Sequence, residues 1–291
     1  DEDNPNPTEL NGLWIAKFET TGTAANPTVK PNLTTLVNQN IGPQFSTSIN
    51  MSTNPDGAAG GNAIIAKDTG SNTQNLTTQT QSRMVRNTDW GAITYLATSN
   101  YGRNSTEVWI NNNSSYTTGC AGDSASANSS NSCNQYNTTI GVHASATDNI
   151  YGIYGMSGVN EYTLSNRGGI SSTSVISTMP QTRYMDIYYV GPFGIKPAAS
   201  SSTSESYYNF DVCDFSICGG QANFETTTVQ SLSSSRQSWN YEASSFVNST
   251  YVWPYRSGGL DSTSADGMFY SSVSNGYGGS SQTFRAALAK F

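Results

Sequence analysis

The chain has 291 residues and a formal net charge of −7, with only 11% charged and 35% hydrophobic side chains, and Ser, Thr, Asn and Gly make up much of the rest. That composition belongs to a loop-rich extracellular protein more than to a cytosolic enzyme. Nucleic acid and anionic membrane are poor partners for this acidic chain, because no Lys/Arg run builds the clustered basic face they require.

Residues 1–11 are polar and proline-bearing and read as a loose arm. The opening Asp-Glu-Asp-Asn-Pro fits a mature or trimmed product, after removal of either a signal peptide or an N-terminal membrane helix, and no run of ~18 apolar residues offers a spanning helix. In residues 13–19, Leu13, Ile15 and Lys17 alternate with Trp14, Ala16 and Phe18, the two-residue period of a strand with one buried face. Within residues 28–44, Leu33, Leu36 and Val37 fall at helical spacing after Pro31, which predicts a short helix. Residues 50–81 are polar and turn-forming, with Asn54-Pro55-Asp56-Gly57 as the strongest turn.

A second helix is predicted over residues 87–98. Asn87 or Thr88 caps it, Trp90, Ile93, Tyr95, Leu96 and Ala97 form its apolar stripe, and Ser99-Asn100-Tyr101-Gly102 stops it. Residues 107–110 and 185–190 read as short strands, the latter helped by Tyr188 and Tyr189. Serine-rich patches at 200–206 and 226–235 read as surface insertions. Trp14, Phe18, Trp90, Trp109, Phe210, Trp239, Phe246, Trp253 and Phe269 supply the large apolar areas of a core.

The four cysteines fall into two local pairs, Cys120 with Cys133 and Cys213 with Cys218, with no His nearby and no second short Cys motif to complete a tetrahedral metal site. Two disulfides are expected, each worth about 2–3 kcal/mol, in an oxidising compartment. Neither pair has the C-x-x-C spacing of a redox site. Asn-X-Ser/Thr triplets at Asn32, Asn50, Asn75, Asn104, Asn113, Asn128, Asn137 and Asn248 are glycan acceptors where the host glycosylates. The single histidine, His143, has no G-x-S-x-G-type nucleophile context to work with, so a catalytic role is not expected of it.

Three separated segments carry a resemblance. They are Asn149-Ile-Tyr-Gly-Ile-Tyr-Gly-Met-Ser-Gly-Val-Asn-Glu-Tyr162, Tyr251-Val-Trp-Pro-Tyr-Arg-Ser-Gly-Gly259 and Phe284-Arg-Ala-Ala-Leu288. In this order they resemble the core signature of the formylglycine-generating-enzyme branch of the C-type lectin fold, which reads N-V-x-G-L-x-D-M-S-G-N-V-x-E-W, then R-G-G-S-W, then G-F-R. Residues 12–19 are similar to that family's opening strand.

The resemblance implies one α+β domain over residues 12–291 with few short strands, about two helices and much irregular structure. It assigns Gly158, Glu161, Arg256, Gly258, Gly259, Phe284 and Arg285 to the scaffold. Glu161 is expected to be buried and hydrogen-bonded to backbone or to an Arg such as Arg256, while Arg256 and Arg285 tie loops together. Arg256-Ser257-Gly258-Gly259 departs from R-G-G by one position, which leaves its register open. The family's copper-binding cysteine pair has no counterpart after Cys218, which removes the oxidase chemistry. The Glu-Pro-Asn, Gln-Pro-Asp and Trp-Asn-Asp tripeptides of calcium-dependent sugar binders are also missing. No metal or cofactor is expected.

Residues 251–282 are dominated by Tyr, Ser, Gly, Asn and Asp, the palette of antibody paratopes, in which Tyr gives contact area at low entropy cost and the small polar residues adapt their hydrogen bonds. The resemblance makes this C-terminal segment the exposed ligand face and extends to retroelement-diversified variable proteins. Residues 87–102 are similar to bacterial prepilin-like surface proteins.

The expected function is non-enzymatic binding of a protein or glycan partner by a secreted or cell-surface chain. The expected site residues are Tyr251, Trp253, Tyr255, Asp261, Ser262, Ser264, Tyr270, Ser272, Ser274, Asn275 and Tyr277. The alternative is a structural subunit that self-associates in an extracellular filament, coat or pilus. A hydrolase or oxidase of the same fold is third.

Overall fold

The structure, a computed structural model, describes residues 12–53, 80–104, 106–125, 133–167, 186–189, 206–209, 222, 235–236, 242–245, 247, 251–259 and 266–290. The loose arm, the Asn54–Gly57 turn, the Cys213/Cys218 pair, most of the two serine-rich patches and Phe210, Trp239 and Phe246 lie outside these residues. So do Asp261, Ser262 and Ser264.

Among the described residues the architecture is mixed α and β, with two α-helices, one 3-10 turn (Gly141–Ala144) and sixteen strands, short as expected but more numerous than the expected few. In chain order these are β1 (Gly12–Ile15), β2 (Thr21–Gly22), β3 (Pro27–Thr28), α1 (Ile41–Thr53), β4 (Thr80–Met84), α2 (Asn87–Thr98), β5 (Cys120–Ala121), β6 (Asn134–Gln135), β7 (Asn160–Tyr162) and β8 (Ser165–Arg167). There follow β9 (Asp186–Tyr189), β10 (Ser206–Asn209), β11 (Ser235–Arg236), β12 (Ala243–Ser244), β13 (Trp253–Ser257), β14 (Gly267–Ser274), β15 (Gln282–Phe284) and β16 (Ala286–Lys290).

The largest sheet has the order β11-β12-β14-β13-β7-β15, and a second, β1-β16-β4, joins the two ends of the described chain. Strands β8, β9 and β10 form a parallel trio. Cross-strand partners point to the same side of a sheet, so the register Tyr255↔Ser272, Tyr255↔Tyr162, Trp253↔Ser274 and Phe284↔Tyr162 puts these residues on one face of the large sheet. Helix α1 covers part of that face through Ile41 and Phe45, which pack with Tyr162, Trp253, Phe284 and Met84. The neighbouring positions Glu161, Arg256 and Ser271 point the other way. There Trp90 of α2 packs with Met156, Met268 and Phe269, and its indole N–H donates to Met268 O at 2.8 Å.

Helix α2 has the bounds the pattern predicts, with Trp90, Ile93 and Ala97 buried, but Leu96 of the stripe is exposed. Its cap differs. Arg86 occupies the cap position, and its backbone N–H is taken by Asp89 Oδ2 at 2.7 Å. The Asp186 carboxylate, from β9, receives the Thr88 N–H at 2.9 Å. Orphan N–H groups at a helix start need acceptors; Ser165 Oγ takes the Asn87 N–H at 3.1 Å, and the two carboxylates also suit the helix dipole.

The first helix lies later than the pattern over 28–44 predicts. Residues 33–36 are drawn into backbone pairing instead, with Leu36 N–H donating to Thr20 O (2.7 Å), Thr35 N–H to Tyr116 O (3.0 Å) and Thr118 N–H to Leu33 O (2.8 Å). Long-range partners thus override a weak local period. Pro43 instead sits in the first turn of α1, where its missing N–H removes no helix bond. Strand β1 stops at Ile15, and its Trp14 is 70% exposed rather than core-facing. Residues 107–110 are not a strand, although Trp109 N–H bonds His143 O and Ile110 N–H bonds Ser124 O. The strand predicted over 185–190 is β9.

Candidate functional site

Beyond the part that α1 covers, the Tyr162 face carries an aromatic strip. Tyr255 of β13 is half-buried, opposite Ser272 and diagonal to Tyr270, and its ring lies 6.3 Å from the Tyr270 ring and 6.2 Å, edge-on, from the Tyr162 ring. The Tyr162 hydroxyl bonds Ser274 Oγ at 2.6 Å and donates to Tyr277 O at 2.7 Å. Burial pushes the Tyr162 phenol up to about 12. Burial, then the neighbouring Tyr255, also raises Tyr270. Both phenols are therefore neutral at physiological pH. The strip offers ring area and hydroxyl hydrogen bonds rather than charge.

Between β14 and β15 the chain turns through Asn275, Gly276 and Tyr277, with Asn275 and Tyr277 exposed. Asn275 Oδ1 accepts the Tyr277 N–H at 3.2 Å. Gly276 has φ 86°, and its α carbon packs so closely on the Trp253 indole that no side chain fits. The turn is latched to the entry of α1, where Asn38 N–H donates to Gly279 O (3.0 Å), Ile41 N–H to Gly276 O (3.0 Å) and Gly278 N–H to Asn40 Oδ1 (2.9 Å). Tyr277 is thus displayed on a fixed support.

The expected site residues divide. Tyr255, Tyr270, Ser272 and Ser274 lie on this sheet face, Asn275 and Tyr277 are exposed in the turn that follows it, and Tyr251, just before β13, is exposed. Trp253 does not belong with them: it is fully buried in the core with Ile41, Phe45 and Phe284. The alternation of β13 puts it on the same sheet face as Tyr255, but over the part that α1 covers. Asn38 and Asn40 support the face without being singled out by any local pattern, whereas Tyr162, expected to point inward from the glycine-bounded segment 151–162, is buried as that pattern expects.

The scaffold residues converge. Arg285, between β15 and β16, forks onto Glu161 of β7 (Nε to Oε2 3.1 Å, Nη2 to Oε1 2.5 Å) and also donates to Ala16 O (2.8 Å) and Tyr154 O (2.6 Å). Glu161 is therefore buried and paired as expected, but with Arg285 rather than Arg256. Although it faces Glu161 in the register, Arg256 aims its guanidinium over the Trp90 ring (5.8 Å) and donates to Ala222 O at 2.6 Å.

Ser257, at a β-bulge with φ 80°, receives the Val159 N–H on Oγ (3.3 Å) and the Gly158 N–H on its carbonyl (3.1 Å). Gly158 and Gly258 both have positive φ, and each presses against a neighbour, Asn111 O and the Asp266 carboxylate respectively. Phe284 is buried beside Tyr162. Gly259 ends the described part of this segment, partly exposed.

His143 is held by Asp148 (Nδ1 to Oδ1 2.7 Å) against the Trp109 ring (4.8 Å), and Arg103 donates to the same carboxylate oxygen at 2.6 Å. Among the described residues no hydroxyl hydrogen-bonds to His143, and no group of three or more His, Cys, Asp or Glu converges on a metal position. The Cys120–Cys133 disulfide is formed, with Cα atoms 4.8 Å apart. Among the described residues no helix is long and apolar enough to cross a membrane. Comparison of the chain with family models, with curated proteins and with solved structures finds no match.

Proposed function

We propose that the chain is a C-type-lectin-like domain of the formylglycine-generating-enzyme type that works outside the cell as a non-enzymatic recognition module. The observation that carries this reading is the strip of Tyr255, Tyr270, Ser272 and Ser274 on one sheet face, followed by the turn that exposes Asn275 and Tyr277, in the segment where the resemblance expects the ligand. Rigid aromatic anchors flanked by small polar residues are the composition of paratopes, and fixing the Tyr277 turn in advance lowers the ordering cost of binding.

The fold assignment is supported by the meeting of the three signature segments around Arg285, Glu161 and Ser257, and by the pairing of β1 with β16. The Cys120–Cys133 disulfide supports a secreted or cell-surface location. The partner is a protein or a glycan outside the cell.

The test is binding of the full chain to a glycan array and to a panel of extracellular proteins, repeated with Tyr255→Ala and Tyr270→Ala. A hit weakened by both variants supports the reading. A hit that neither variant touches removes the face from it, and particles of self-associated chain without any hit favour a filament subunit.

A further inference from the structure

A guanidinium has five N–H donors, and the buried Arg285 assigns four of them. Two go to Glu161, one to Ala16 O and one to Tyr154 O. Beside it lies a second carboxylate, Glu19, on the segment that follows β1. Glu19 is fully buried, its Oε1 is 4.0 Å from Arg285 Nη2, and among the described residues neither of its oxygens receives a hydrogen bond. Its carboxylate rests on the α carbon of Gly155, whose φ of 78° and lack of a side chain make that approach feasible.

The other charged groups nearby are committed elsewhere. Lys17 Nζ donates to Ile150 O and lies over the Phe18, Tyr136 and Tyr154 rings, and Arg256 serves Ala222 O and Met268 O. Two carboxylates therefore share one cation, and both hydrogens of Nη2, the nitrogen nearest Glu19, already go to Glu161 and to Tyr154 O. An ionised carboxylate in that position is buried with no donor among the described residues and only a shared counter-charge at 4.0 Å, whereas a protonated one is neutral.

We propose that Glu19 is a proton-binding site built into the fold, held as the neutral acid while Glu161 balances Arg285, and that its ionisation loosens the junction between the β1 exit, residues 154–158, β7 and the start of β16.

The electrostatics point the same way. Burial is the main cause raising the Glu19 carboxyl to about 7; Arg285 opposes it, Glu161 adds to it, and the residue's own backbone N–H opposes it. A carboxyl whose value is raised on folding contributes stability that is fully present below the ordinary carboxylate range and is lost as pH rises through about 7.

The experiment is urea unfolding of the full chain at about pH 5.5 and about pH 8.5, for the wild type and for Glu19→Gln, which keeps the shape of the neutral acid. The wild-type midpoint is expected to fall at the higher pH, and the variant to lose most of that fall. A wild-type midpoint that does not fall, or an equal fall in the variant, overturns the proposal. Should Glu19→Gln not fold, infrared spectra of the wild-type chain with carbon-13-labelled glutamate decide it. A label-shifted band of a protonated carboxyl that fades as the solution turns alkaline supports the site, and the absence of such a band at acid pH overturns it.

Discussion

Arg285 and Glu161 form a two-pronged ion pair at 3.1 and 2.5 Å inside the protein, 124 residues apart in sequence. Removing one partner of a buried pair leaves an uncompensated charge, which costs far more than the pair contributes net. Arg285→Met should therefore lower stability by about 3–5 kcal/mol. Arg285→Lys should recover only part of this, because an ammonium cannot fork onto a carboxylate and two carbonyls at once. Chemical denaturation followed by circular dichroism measures both, and equal stability of all three chains would show that the pair does not hold the fold.

Trp253 and Tyr255 lie two residues apart on the same face of β13 and should behave oppositely. Trp253 is buried under α1, so Trp253→Ala should destabilise by about 3–5 kcal/mol. Tyr255 is half-exposed, and Tyr255→Ala should instead cost of order 2 kcal/mol of affinity for a ligand found on the array. Thermal melts and titrations run side by side separate the two effects. A reversed pattern would mean that the recognition face is misassigned.

Helix α2 takes one of its N-terminal acceptors from 98 residues away. Asp186 receives the Thr88 N–H, so Asp186→Ala should cost about 0.5–2 kcal/mol, the usual loss for a missing cap. Amide hydrogen exchange at Thr88 and its neighbours should accelerate in the variant, and unchanged protection there would argue that another acceptor serves the helix.

Acid should act through Asp89. Burial opposes its ionisation, but Arg83, followed by Arg86, holds its carboxyl below the usual carboxylate range. A depressed carboxyl contributes stability above its unfolded value that is lost as pH falls through its folded value. Asp89→Asn should therefore flatten the acid limb of the stability curve, as urea midpoints taken downward from about pH 5 will report.

Reduction of Cys120–Cys133 should cost about 3 kcal/mol in the chain-entropy description of its 13-residue span. Thermal melts with and without a thiol reductant check this on a chain whose other cysteines have been replaced by serine.

The features legible in the sequence are those made by neighbours. The 87–98 period holds because Trp90, Ile93 and Ala97 all meet one core. The Cys120–Cys133 bridge closes a short loop, and Tyr188 and Tyr189 belong to a short strand with strong β preference. The burial of Glu161 could be expected because an acidic residue inside an apolar, glycine-bounded segment needs a partner. Its partner could not, since Arg256 faces it across the sheet and Arg285 arrives from the far end of the chain.

Local pattern by itself determined that residues 87–98 are helical and that 186–189 are extended, and it determined the tyrosine-rich, sparsely charged character of residues 251–282. Only the tertiary structure decided that α1 begins at Ile41, that Trp253 is core while Tyr255 is half-buried at its edge, and that Glu19 shares the Arg285 cluster without a donor among the described residues. Each of these depends on what another segment covers or supplies. Burial and hydrogen-bond supply are properties of the assembled neighbourhood, which no window of adjacent residues contains.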